Sequence, residues 1–202
     1  MKIKHICAIA LTLLVQITYA QTFGIKGGIN FANITISGTG TEILTKSVTG
    51  FHFGPVADFK LQKNIHLNTG LLYTLKGYTI GLGGEHTIYK LNYLEIPLNM
   101  AYNFSLSKKS FIFLQAGPYL GYAISGKTKF VNEIQDITIG EGGIKRYDFG
   151  LGFGAGLKFS SIVTNLNYQS GLANVNGDSA DDVKLKHKVF QISVAYMFGK
   201  KE

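Results

Sequence analysis

The chain has 202 residues, of which 16% are charged, against about 25% in a typical soluble domain. Its formal charge of +8 forms no basic stripe, and Arg146 is the sole arginine, so nothing marks a nucleic-acid surface. With 46% hydrophobic residues, 11 Tyr and 14 Phe, the chain is not disordered either.

Residues 1–20 are a separate object. Lys2, Lys4 and His5 make a basic start, Ile6 to Ile17 an apolar core, and Thr18-Tyr19-Ala20 a small-residue end. That layout is a cleavable secretory signal peptide, too short and wrongly flanked for a membrane helix. The mature chain is expected to start at Gln21, with residues 21–202 as one domain. Removing Lys2 and Lys4 lowers the charge from +8 to +6. Cys7 lies within the leader, so the mature protein has no disulfide or thiol chemistry.

Eight later stretches alternate apolar and polar residues, the period of a β-strand. The first runs Phe23 to Phe31, with Lys26 on its polar side. The second runs Gly50 to Lys60, with Phe51, Phe53 and Phe59 opposed by His52 and Asp58. The third runs Ile65 to Lys76, with Leu67, Leu71 and Tyr73 against His66, Thr74 and Lys76. The fourth, Lys90 to Asn103, sets Leu94, Ile96, Leu98, Met100 and Tyr102 against Glu95, Asn99 and Asn103.

The fifth runs Phe111 to Ile124, with Gln115 and Tyr119 on the polar side. The sixth runs Arg146 to Lys158, with Asp148 and the glycines 150, 152, 154 and 156 on the polar side. The seventh, Ile162 to Gly171, opposes Leu166 and Tyr168 to Asn165, Asn167 and Gln169. The eighth runs His187 to Phe198. No apolar face carries a charge.

Short connections at Leu61–Asn64, Ser105–Ser110 and Phe159–Ser161 alternate with long ones at Asn33–Thr49, Tyr78–Tyr89, Ser125–Lys145 and Ala173–Lys186. This is an antiparallel up-and-down meander, and an even strand number lets it close on itself and hide its edges. The fold class is all-β, an eight-stranded barrel.

The apolar face either lines a cavity, as in a soluble lipocalin-like carrier, or meets lipid. Three features favour lipid. The polar face is too poor in charge for a solvated surface. Four glycines in a row suit a cramped interior where another backbone approaches. Phe23, Phe31, Phe59, Tyr73, Tyr102, Tyr122, Tyr147, Tyr168 and Phe198 cluster toward strand ends, as membrane girdles do.

The segments Gly24-Ile25-Lys26-Gly27-Gly28-Ile29-Asn30-Phe31, Tyr93-Leu94-Glu95-Ile96-Pro97-Leu98 and Phe113-Leu114-Gln115-Ala116-Gly117-Pro118-Tyr119-Leu120-Gly121, with the terminal Tyr196-Met197-Phe198, resemble the PorT-like outer membrane protein β-barrel domain family. The resemblance implies an integral outer-membrane location in a Gram-negative envelope and hints at a secretion accessory. It carries no catalytic or ligand residues. The lipid bilayer and lipopolysaccharide are the expected partners, with an envelope or secretion-system protein as a further one.

An eight-stranded barrel is just wide enough for its own side chains. Lys26, Asp58, Lys76, Glu95, Asp148 and Lys158 should therefore point into a filled, polar lumen, with Glu95 paired to lumen lysine. No catalytic, cofactor or metal residues are assigned, and no enzymatic activity is expected. His52, His66, His86 and His187 lack metal-ligand spacing. Asp178, Ser179, Asp181 and Asp182, followed by His187, offer a rim-active enzyme or a calcium loop as an alternative, although the spacing matches no calcium motif. Gly24-Ile25-Lys26-Gly27-Gly28 and Gly152-Phe153-Gly154-Ala155-Gly156 are not nucleotide loops, because no helix follows them.

Overall fold

The computed structural model describes residues 21–38, 45–82, 85–130, 133–140, 142–177 and 183–198. The leader and the acidic segment from Asp178 to Asp182 lie outside the described residues.

Ten strands form one sheet: β1 (Gln21–Ser37), β2 (Thr45–Lys60), β3 (Ile65–Gly70), β4 (Leu72–Leu82), β5 (Glu85–Ser107), β6 (Ser110–Phe130), β7 (Glu133–Asp136), β8 (Tyr147–Phe159), β9 (Ile162–Gly171) and β10 (Lys184–Phe198). The wall nevertheless has eight positions. β3 and β4 are a single staircase interrupted at Leu71, and both pair with β2 on one side and β5 on the other. Leu71 faces Pro55, which has no N–H to give the ladder, so only the Leu71 N–H to Pro55 O bond survives there, at 3.0 Å. β7 is a short addition against the upper part of β6. Antiparallel pairing of β1 with β10, from Phe23↔Phe198 to Ser37↔Lys184, closes the ring.

Lipid-facing and lumen-facing residues alternate as the sequence pattern predicts. Along β5, Leu94, Ile96, Leu98, Met100, Tyr102 and Phe104 are exposed, while Glu95 is 0% exposed and Asn99 and Asn103 are buried. Leu94 to Phe104 covers roughly 33 Å along the strand. At a tilt of about 40° it rises roughly 25 Å, the height of an outer-membrane apolar band.

Two expectations need correction. The segments read as long loops are strand in part: β1 runs on to Ser37, β5 starts at Glu85, and β6 continues to Phe130 before β7, while most of Ala173–Lys186 lies outside any strand. Outside lipid the outward face no longer has to be apolar, so the alternation that marks a strand fades while its pairing continues. The aromatics are also not confined to strand ends. Phe51, Phe53 and Tyr73 form a cluster on the wall, with ring centroids 5.6–6.2 Å apart.

The lipid-facing assignment of β5 has a direct check. Leu98→Lys should destabilise the barrel in vesicles by about 2–4 kcal/mol. Urea unfolding followed by heat-modifiable gel mobility measures this, and Asn99→Leu, facing inward, should cost far less.

Candidate functional site: the barrel lumen

The lumen has two unlike halves. Toward the short turns it is polar and holds a cavity of about 80 Å³, lined among others by Lys26, Asp58, Asn99, Gln115, Lys158 and Ser193. That is room for a few waters. Toward the long connections it is apolar: Ile34, Tyr78, Leu91, Tyr93, Ala123, Ile144 and Val175 pack into one buried cluster. The expected uniformly polar lumen is corrected here. Leu72, Leu91 and Tyr93 stand on the lumen side of their strands, and Ile144 and Val175 come in from the connections after β7 and β9.

Beneath this stopper sits an ion cluster. Lys76 Nζ lies 2.8 Å from Glu95 Oε2 and 3.0 Å from Asp148 Oδ2, and all three side chains are fully buried. The sheet register explains the meeting. Glu95 and Asp148 both pair with Gly121, one from each side. They therefore stand on one inward row with no side chain between them. Lys76 also lies 4.4 Å from the ring centroid of Tyr119, a cation–π distance. Tyr119 donates its hydroxyl to Asp148 at 3.3 Å, and Gln169 Nε2 donates to Glu95 Oε1 at 2.6 Å from across the barrel. The expected pairing of Glu95 with a lumen lysine is what the structure shows.

A second cluster lies nearer the turns. Lys158 Nζ on β8 is 3.3 Å from Asp58 Oδ2 on β2, half the ring away, and His66 Nδ1 is 2.7 Å from Asp58 Oδ1. Lys26, lining the cavity, completes the set. Between the rims, Lys26, Lys76 and Lys158 are matched by Asp58, Glu95 and Asp148 among the described residues. The lumen therefore needs no added ion for neutrality.

A third cluster was not foreseen from the sequence. Asn30 donates its amide to the carbonyls of Phe51 and Leu75, each at 3.1 Å, which leaves Oδ1 as an acceptor 2.7 Å from His52 Nδ1. His52 must then donate from Nδ1, and its Nε2 accepts from the Ser193 hydroxyl at 2.9 Å. Gly28 makes this contact sterically feasible. It pairs with both His52 and Ser193, and a Cβ there would run into the imidazole. The same device recurs on β8. Gly150, Gly154 and Gly156 give way to Tyr119, Asn167 and Phe113, so the glycine row admits neighbouring side chains as well as close backbone.

The order serine, imidazole, amide has the polarity of a nucleophile, base and orienting group. Yet Asn30, His52 and Ser193 are each at most 2% exposed, and the cavity beside Ser193, at about 80 Å³, has room for a few waters only. Of the rim candidates, Asp178, Ser179, Asp181 and Asp182 lie outside the described residues, and the two described histidines stand apart. His86 is exposed at the start of β5, and His187 is fully buried, its Nε2 3.2 Å from the Tyr93 hydroxyl.

The ion cluster predicts an asymmetric mutational response. Lys76→Met strands two buried carboxylates and should cost at least the 3–5 kcal/mol typical of a broken buried pair. Asp148→Asn leaves the Lys76–Glu95 pair intact and should cost less. Urea midpoints of the refolded barrel compare the two.

A family model for the outer membrane protein beta-barrel domain matches residues 19–177. No curated protein matches the sequence. Among solved structures, OprG of Pseudomonas aeruginosa superposes with a TM-score of 0.49 at 11% identity, covering 90% of this chain and 97% of that one. Ail, the attachment invasion locus protein of Yersinia pestis, solved with the heparin analogue sucrose octasulfate, gives 0.46 at 15% identity, covering 89% and 99%. Neisserial surface protein A gives 0.46 at 14% identity, covering 87% and 97%.

Proposed function

The chain belongs to the outer membrane protein beta-barrel domain family, and from that premise we propose that it is a non-enzymatic, non-conducting interaction barrel. It is an integral outer-membrane protein. Its short turns face the periplasm and its long hairpins face outward, in contact with lipopolysaccharide. The observation that carries the reading is the apolar stopper, Ile34, Tyr78, Leu91, Tyr93, Ala123, Ile144 and Val175, above a lumen in which Lys76 pairs with Glu95 and Asp148 and Lys158 pairs with Asp58. A permeating ion would have to enter a dry cluster and break fully buried ion pairs, each step costing several kcal/mol.

What remains available for function is the outward end. The PorT-like resemblance suggests an accessory of a secretion apparatus, with an envelope protein as partner. Planar-bilayer recordings test the stopper. The refolded wild-type protein should show no resolved single-channel openings, and steady ohmic steps would overturn the reading.

A second reading, a serine hydrolase in the lumen, has the Ser193–His52–Asn30 alignment in its favour. Burial and the small cavity count against it. A fluorophosphonate probe should leave the folded barrel unlabelled. Labelling that disappears in Ser193→Ala would establish the enzyme instead.

A further inference from the structure

The outward face of β10 changes character just beyond the apolar band. Phe190 is exposed, pairs with the exposed Phe31, and marks the end of the band on these two strands. The next outward positions are Lys188, Lys186 and Lys184, at every second residue of one strand, a short basic strip that corrects the expectation of none. Lys184 and Lys188 are exposed and Lys186 is half-buried. Their three Cα atoms span roughly 13 Å.

The neighbours on that face are polar and uncharged. Across the β1 ladder, Asn33, Thr35 and Ser37 stand opposite Lys188, Lys186 and Lys184, and Ser170 of β9 stands opposite Lys188. No carboxylate shares the strip among the described residues, and none of the three lysines makes an ion pair there. Like charges repeated along one strand face repel one another, so the fold alone gives no reason to gather them.

We propose that Lys184, Lys186 and Lys188 seat the phosphates of lipid headgroups at the outward end of the barrel. Two features point to a lipid and not to a free anion. The strip is continuous with the lipid-facing band, so its lowest member, Lys188, lies where acyl chains give way to headgroups. Flexible lysine stems next to an aromatic edge also suit snorkelling into that layer. Hydroxyl and amide groups of Ser37, Thr35 and Asn33 supply hydrogen-bonding partners beside the charges. The inference rests on the outward orientation proposed above, so the phosphate-bearing lipid is lipopolysaccharide.

The test uses the full mature chain refolded in zwitterionic phosphatidylcholine vesicles, with lipid A titrated in and the thermal unfolding midpoint read by heat-modifiable mobility. Lipid A should raise the midpoint of the wild type, and about 1 M salt, where screening acts within about 3 Å, should abolish the rise. K184Q/K186Q/K188Q should need on the order of a hundredfold more lipid A for the same rise, at about fivefold per lysine. The turn-end control K108Q/K109Q should behave as wild type. An unchanged rise in the triple variant would sink the proposal. So would an equal rise from soluble inositol hexaphosphate, which would make the strip a free-phosphate site. If the triple variant does not fold, K186Q and K188Q singly, together with the arginine triple K184R/K186R/K188R, decide the matter by graded loss against retention. Loss of heat-modifiable mobility in the wild type would instead indict the barrel reading itself.

Discussion

In hydrocarbon there is no water to receive a backbone N–H or C=O, so every such group in the wall must find its partner within the chain. That constraint decides this molecule. It requires β10 to return to β1, since either strand left as an edge would expose a row of unsatisfied groups to lipid. It also sets how irregularity is tolerated. Pro55 cannot donate, and the wall answers with one broken rung at Leu71 while the pairing on both sides keeps the same register.

Closure at eight positions then creates a second constraint, because the interior is narrow and must still hold the polar halves of eight alternating strands. The solution is layered. Lys76 bridges two carboxylates, Lys158 reaches Asp58 from the opposite wall, and Gln169 reaches Glu95 the same way. These ties cross the lumen and do not merely run along the wall, so they brace the cylinder against flattening. Glycine makes them fit. Gly28 lets the His52 ring lie over β1, and Gly121 leaves the space between Glu95 and Asp148 clear.

Much of the wall was legible in the sequence because a period of two leaves no freedom: once Leu94 faces lipid, Glu95 must face inward. The pairing of Glu95 followed from the cost of an unpaired buried charge. Its partner's identity did not, since Lys76 and Asp148 meet through sheet register. Ser193 and His52, 141 residues apart, were invisible for the same reason. The strand ends were misread because the lipid signal stops before the strands do. The apolar stopper has no sequence signal, because Leu91 and Tyr93 occupy lumen positions that are otherwise polar, and Ile144 and Val175 lie in connections without periodicity.

The continuation of β4 and β5 past the apolar band sets a length scale for whatever meets this protein on that side of the membrane. From Leu94 back to Glu85 the paired hairpin extends roughly 30 Å in contour and, if the tilt persists, roughly 20 Å in height. The hairpin is held by a continuous ladder as far as Leu82 and Glu85, so it acts as a stiff mast beyond the apolar band. With the long hairpins outward, as proposed, a receptor or antibody thus meets fully paired strands at a fixed elevation, since β2 also holds β4 and β6 also holds β5. Natural insertions or deletions in these masts should come in pairs of residues, because an odd change would rotate every side chain above it to the opposite side.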